Sequence, residues 1–323
     1  MLTKLQIRNF RGFSDLTLTD FGLVNLIVGR NNAGKTSFLE AIKAACSPEQ
    51  PQALAGLFRP SVGNVDRRFN RWLLRDGIGN DNVELNAAWT EGETALVLRS
   101  QKSTTPEPEP TQPFSVWSNG RLGFLDRTAI WKRRGRPLEV KVASVQHRVP
   151  EALVSAFGDA VRPKAGETQM ESLLQAVDER VKSVRIDFAQ NEQPFIVVDI
   201  GLSERVPLPQ AGQGIYRLVA IFSELLGQHP DLCLIDEVEN GIHYTALPQL
   251  WKGIAEAASR LKVQVFVTTH SHECLLAAHE AFAVRKDYDL RVIQLYRVGD
   301  LTEGRVLDQK HIQAAVDGEI ELR

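Results

Sequence analysis

Apolar, β-branched runs alternate with helical patterns at the two ends of this chain. Residues 23–28 (Leu-Val-Asn-Leu-Ile-Val) are short and almost wholly apolar, the pattern of a strand covered on both faces. Residues 37–45 follow with good helix formers, placing Phe38, Leu39 and Ile42 on one face. Near the other end, residues 232–237 run from Leu-Cys-Leu-Ile into two acids, and residues 263–270 run from Val-Gln-Val-Phe-Val into two threonines and a histidine. Both read as buried strands with polar ends. Strand patterns recur at 83–89 and 95–98, and further strand-like segments reach residue 146 before a helical stretch over 150–182. Residues 48–82 are irregular, with a short basic amphipathic helix expected at 67–75, and the alternating prolines of 104–113 predict a stiff, solvated loop. No internal repeat or heptad run is present.

The first strand and helix flank Gly29, Arg30, Asn31, Asn32, Ala33, Gly34, Lys35 and Thr36, with Ser37 next, the spacing G-x-x-x-x-G-K-S/T. Strand, glycine loop and helix together aim backbone N–H groups and a helix N-terminus at a polyphosphate. Lys35 is the group to reach β- and γ-phosphates, and the Thr36 hydroxyl is the group to ligate Mg²⁺, so ATP and Mg²⁺ are the expected ligands. The acids after 232–235 complete such a site: Asp236 as the second-sphere holder of the metal, Glu237 as the base that polarises an attacking water. With strand 263–268 beside strand 232–235, His270 opens onto the same phosphates as a γ-phosphate sensor, making Glu237, His270 and Lys35 the candidate catalytic set.

These motifs resemble the ABC/SMC/RecF-type ATPase superfamily, and within it the OLD-like AAA family ATPases of bacterial defence operons. The opening Ile7-Arg8-Asn9-Phe10-Arg11-Gly12-Phe13 is similar to the start of RecF and SMC heads, residues 235–243 (Ile-Asp-Glu-Val-Glu-Asn-Gly-Ile-His) to the OLD-like acidic run, and residues 268–271 to its T-T-H-S switch. The resemblance implies an α/β fold of ABC/SMC-head type: a mixed central β-sheet flanked by helices, with a β-rich and helical insertion. Residues 1–47 and 201–323 would form the head and residues 48–200 the insertion. Gly212, Gln213 and Gly214 resemble the G-x-G-x-x-R-L form of the signature loop, which contacts nucleotide on an opposing subunit; a plain glycine start to a core helix is the alternative. Ala211 stands where a signature serine would be. Gln146 occupies the place of the family's metal-side glutamine, or is an ordinary polar strand end. Glu239 and His243 would lie in the loop that meets a partner subunit.

The resemblance implies a homodimer closing around ATP and a separately encoded effector, such as a Toprim or other nuclease. Residues 292–296 and the tail after them leave no space for a Toprim domain. At 323 residues, 43% hydrophobic, the chain can bury a large core. Three cysteines without metal-ligand spacing suit a reducing cytoplasm, and no run is long enough to span a membrane. A net charge of −2 argues against wholesale nucleic-acid binding, yet Arg121, Arg127, Lys132, Arg133, Arg134 and Arg136 around Trp131, with 67–75, offer a possible DNA-contacting surface. A nucleotide-gated scaffold with little turnover is the alternative to an ATPase.

Overall fold

The structure, a computed structural model, describes residues 1–47, 82–100, 116–122, 127–143, 150–227 and 230–318. In chain order the elements are β1 (Leu2–Phe10), β2 (Phe13–Thr19), β3 (Val24–Val28), α1 (Lys35–Cys46), β4 (Val83–Trp89), β5 (Gly92–Ser100), β6 (Val116–Leu122), β7 (Arg127–Arg134) and β8 (Val140–Ala143). There follow α2 (Pro150–Val161), α3 (Gly166–Val177), β9 (Ser183–Phe188), β10 (Pro194–Asp199), β11 (Val206–Pro207), α4 (Gln213–Leu226) and β12 (Leu232–Ile235). The chain continues through α5 (Leu247–Leu261), β13 (Gln264–Thr268), α6 (His272–Ala283), β14 (Leu290–Val298), β15 (Leu301–Leu307) and α7 (Gln309–Asp317).

Two six-stranded sheets carry the architecture. The central one has the order β15-β14-β3-β13-β12-β8 and is parallel except for the β14–β15 hairpin. The other, β2-β1-β4-β5-β7-β6, is antiparallel throughout. The apolar runs of the central strands are explained by this layering. On β3 and β13, Val24, Leu26, Val265 and Val267 join the core formed with the helices, while Ile27 and Phe266 join a second core with α1 and the antiparallel sheet. Strands covered on both faces lose the polar alternation of half-exposed ones. Helix α1 lies between the sheets and is buried on nearly every side, including Phe38, Leu39 and Ile42. A buried amide ties the layers together: Gln264 Oε1 accepts from Leu2 N–H at 2.7 Å, and its Nε2 donates to Gly22 O at 2.9 Å.

The expected mixed sheet flanked by helices is present, and the described strands within 48–200 lie in sheets that also contain strands of the terminal segments. Strands β4 to β7 extend the sheet begun by β1 and β2, and β8 pairs with β12 in the central sheet. The helical stretch expected over 150–182 is two helices broken at residues 162–165, because Pro163 has no N–H to donate and disfavours helical geometry before it; β9 then begins at Ser183. The expected helix 67–75, the proline-rich loop 104–113 and Gln146 lie outside the described residues. Among the described residues no helix is long and apolar enough to cross a membrane. All three cysteines are buried and free, and burial pushes the thiols of Cys46 and Cys274 up to about 12.

The described side chains of the basic cluster around Trp131, those of Lys132, Arg133, Arg134 and Arg136, do not form one surface. Strand alternation on β7 sends neighbouring side chains to opposite faces, and Lys132 is buried. Arg134 pairs with Glu93 at 3.3 Å, and Arg136 grips both oxygens of Asp231 at 2.7 and 2.5 Å.

Candidate nucleotide site

The β3–α1 connection is a glycine loop that leads straight into the helix start. Gly34 adopts φ +91°, and a Cβ there would come 3.0 Å from the Phe13 ring, so the turn into α1 requires glycine. Helix α1 starts without a side-chain cap, leaving its first N–H groups for a ligand. Lys35 is buried, and its ammonium donates to the loop's own carbonyls, Gly29 O at 2.6 Å and Arg30 O at 3.1 Å. Burial lowers its pKa, while Asp236, Glu237 and Glu239 act in the opposite sense. The cation is thus already aimed along the loop, held by weak acceptors that a phosphate can displace.

Strands β12 and β13 pair in parallel, Leu234 beside Phe266, and both end over α1. The Thr36 hydroxyl donates to Asp236 at 3.2 Å, and the Thr268 hydroxyl donates to Asp236 Oδ1 at 2.5 Å while accepting from Glu237 N–H at 2.8 Å. Burial raises the pKa of Asp236, opposed by these hydroxyls and by Arg217. A metal fits here. Among the described residues no cluster of three or more His, Cys, Asp or Glu could hold an ion by itself. Mg²⁺ needs no such cage, since it is commonly bound through one or two carboxylates plus phosphate oxygens, and Thr36 with Asp236 is that donor set.

Glu237 sits in a left-handed conformation, φ +48°, unusual for a residue with a side chain and costing about 1–2 kcal/mol. Its surroundings enforce it. The buried Arg217 guanidinium, from the second turn of α4, donates to the backbone carbonyls of Asp236 and Glu237, the latter at 3.1 Å, and to Ala143 O at 3.3 Å. The turned backbone sends Asp236 toward Thr36 and Glu237 into the cleft, where Oε1 meets His270 Nε2 at 3.2 Å and Oε2 accepts from Asn240 Nδ2. Glu239, which the sequence placed in a loop that would meet a partner subunit, has a role within this chain: its Oε1 accepts from His270 N–H at 2.6 Å. It therefore holds the backbone from which the His270 ring reaches Glu237. Replacing Glu239 by Ala should lower kcat about tenfold, on the scale of losing one charge-assisted hydrogen bond, with little change in KM. Gln keeps an acceptor and should restore most of the rate in a steady-state assay.

A cleft of about 910 Å³ brings Asn31, Asn32, Gly34, Lys35, Thr36 and Ser37 together with Glu237 and His270. Gly29 and Arg30 contribute through their carbonyls, and Ala33 is buried under the loop. Gly212, Gln213 and Gly214 do not line it. They begin α4 beside the loop after β12, where a Cβ on Gly214 would come 2.8 Å from Gly241 O, and Gly212 faces open space. Sequence reasoning gave Thr268, Asn240 and Arg217 no separate role: each appeared only as a letter of a matched motif (T-T-H-S, the OLD-like acidic run and G-x-G-x-x-R-L), and the partners they hold are set by packing.

A family model described as AAA domain, putative AbiEii toxin, Type IV TA system matches residues 24–276, from the start of β3 into α6. The chain is 24% identical over 327 residues to an ATP/GTP phosphatase of Helicobacter pylori, covering 84% of this chain and 86% of that protein. It is 26% identical over 341 residues to an OLD nuclease of Thermus scotoductus, covering 92% of this chain but 64% of that longer protein. Among solved structures, an Smc head bound to the C-winged helix domain of ScpA superposes with a TM-score of 0.63 at 11% identity, covering 97% of this chain and 99% of that one. That likeness is one of fold.

Proposed function

This chain belongs to the family described as AAA domain, putative AbiEii toxin, Type IV TA system, and from that premise we propose that it is a Mg²⁺-dependent ATPase whose closure around ATP drives a separate effector. The observation that carries the reading is the unbroken line from Thr36 through Asp236 and Thr268 to Glu237 and His270. Mg²⁺, held by Thr36 and Asp236, would supply neutralisation of the triphosphate charge. The chain's own groups do the rest. Loop N–H groups and Lys35 orient the triphosphate, and Asp236 with Thr36 fixes the metal side. Glu237 accepts a proton from the attacking water, and His270 donates a hydrogen bond where γ-phosphate charge develops. Steady-state phosphate release that requires both Mg²⁺ and ATP tests this, and its absence would contradict the reading.

The role of the signature-like loop rests on position. It stands beside the loop after β12 and faces outward, so in this reading it meets the nucleotide of a second copy through a twofold, self-complementary contact. Light scattering should then show ATP raising the dimer fraction or compacting an existing dimer; a strict monomer hydrolysing at full rate under saturating ATP would exclude it. The downstream partner in this reading is a separately encoded protein, a nuclease of DNA repair or anti-phage defence, with DNA as the further ligand. Support for that last step is the match to an OLD nuclease across 92% of this chain. A nucleotide-gated scaffold with little turnover is the second reading, favoured by both Glu237 oxygens being engaged and by Ala211 at the place of a signature serine.

A further inference from the structure

The nucleotide cleft has a second wall that none of the phosphate-handling motifs account for. Arg297, Asp300 and Thr302 line it from the β14–β15 hairpin, and Arg11 and Gly12 line it from the β1–β2 turn. Their position follows from strand order. His270 and Glu237 stand after β13 and β12, on one side of β3, whereas β14 and β15 lie on its other side. A triphosphate over the loop with its last phosphate at Glu237 and His270 points its opposite end toward the hairpin.

We propose that this hairpin and turn form the nucleoside wall of the site, with Arg297 and Asp300 reading an adenine base. The proposal rests on residues 29–36 holding a triphosphate. The wall is fixed in place: a Cβ on Gly29 would collide with Leu295 O, so the phosphate loop is packed directly on β14. Thr302 N–H donates to Gly12 O at 3.4 Å, and Arg297 pairs in register with Thr302. Arg297 and Asp300 approach each other only to 3.8 Å, with side chains 53% and 100% exposed. So loose and exposed a pair contributes little, and both groups can turn to a ligand at small cost.

No Phe, Tyr or Trp lines the cleft among the described residues, and His270 stands at its phosphate end, so the base is held by polar contacts and by the guanidinium plane. A guanidinium donates to N7, which purines have and pyrimidines lack, and a carboxylate beside it accepts from the adjacent 6-amino group of adenine, where guanine presents the acceptor O6 instead. Adenine is therefore the base that this wall fits.

Calorimetric titration of the full chain with ATP, GTP, CTP and inorganic tripolyphosphate tests this. ATP should bind most tightly, and GTP, CTP and tripolyphosphate each about tenfold or more weaker. Arg297→Ala and Asp300→Ala should each weaken ATP about tenfold while sparing tripolyphosphate. The two variants change net charge in opposite directions, so a loss common to both is not a field effect. ATP affinity unchanged in both variants, an equal loss for tripolyphosphate, or GTP or CTP binding as tightly as ATP would overturn the proposal. Wild-type protein that binds neither ATP nor tripolyphosphate would instead refute the triphosphate loop itself.

Discussion

Glu237→Gln should leave ATP bound and slow its hydrolysis by roughly 10²–10⁴-fold, the usual worth of a positioned general base. The substitution keeps the shape of a side chain held at both oxygens, by His270 at 3.2 Å and by Asn240, and removes its ability to take a proton from water. Because the backbone at Glu237 is fixed by Arg217 and Thr268 rather than by its own carboxylate, the fold of the site should survive. The variant should therefore trap the ATP-bound form, and any ATP-dependent dimer should accumulate. Asp236→Asn supplies the contrast. It weakens the charged partner of the metal side and should impair Mg²⁺-dependent binding itself. Binding and single-turnover hydrolysis measured side by side separate the two, and wild-type hydrolysis by Glu237→Gln would place the base elsewhere.

Lys35→Ala should weaken ATP binding by about 3 kcal/mol, more than a hundredfold in Kd, as the loop loses its one buried cation. The ammonium already spans Gly29 O and Arg30 O, so its removal costs both the charge that answers polyphosphate and two contacts that shape the loop. Isothermal titration gives the affinity, and a thermal melt distinguishes lost binding from lost fold. Unchanged affinity in a folded variant would refute the assignment of residues 29–36.

What the sequence determined by itself was local and contiguous. The run from Val24 to Cys46 encodes strand, loop and helix in order, so the strand–loop–helix geometry is legible without any distant contact. The same holds for β12 and β13, whose length and apolar faces mark them as buried strands and whose polar ends mark the edge of a site. Tertiary structure decided which polar groups face each other. Thr36 and Asp236 are 200 residues apart, and Thr268 reaches Asp236 from a neighbouring strand, contacts that no periodicity records. A threonine or glutamate at a strand end has the same spelling whichever way it turns. The inward turn of Glu239 and the left-handed backbone of Glu237 therefore emerge only when α4, β12 and β13 pack together. Charge behaves likewise. Arg134 and Arg136 read as one basic patch until Glu93 and Asp231 are brought against them, because ion pairing depends on which strands become neighbours in space and composition does not.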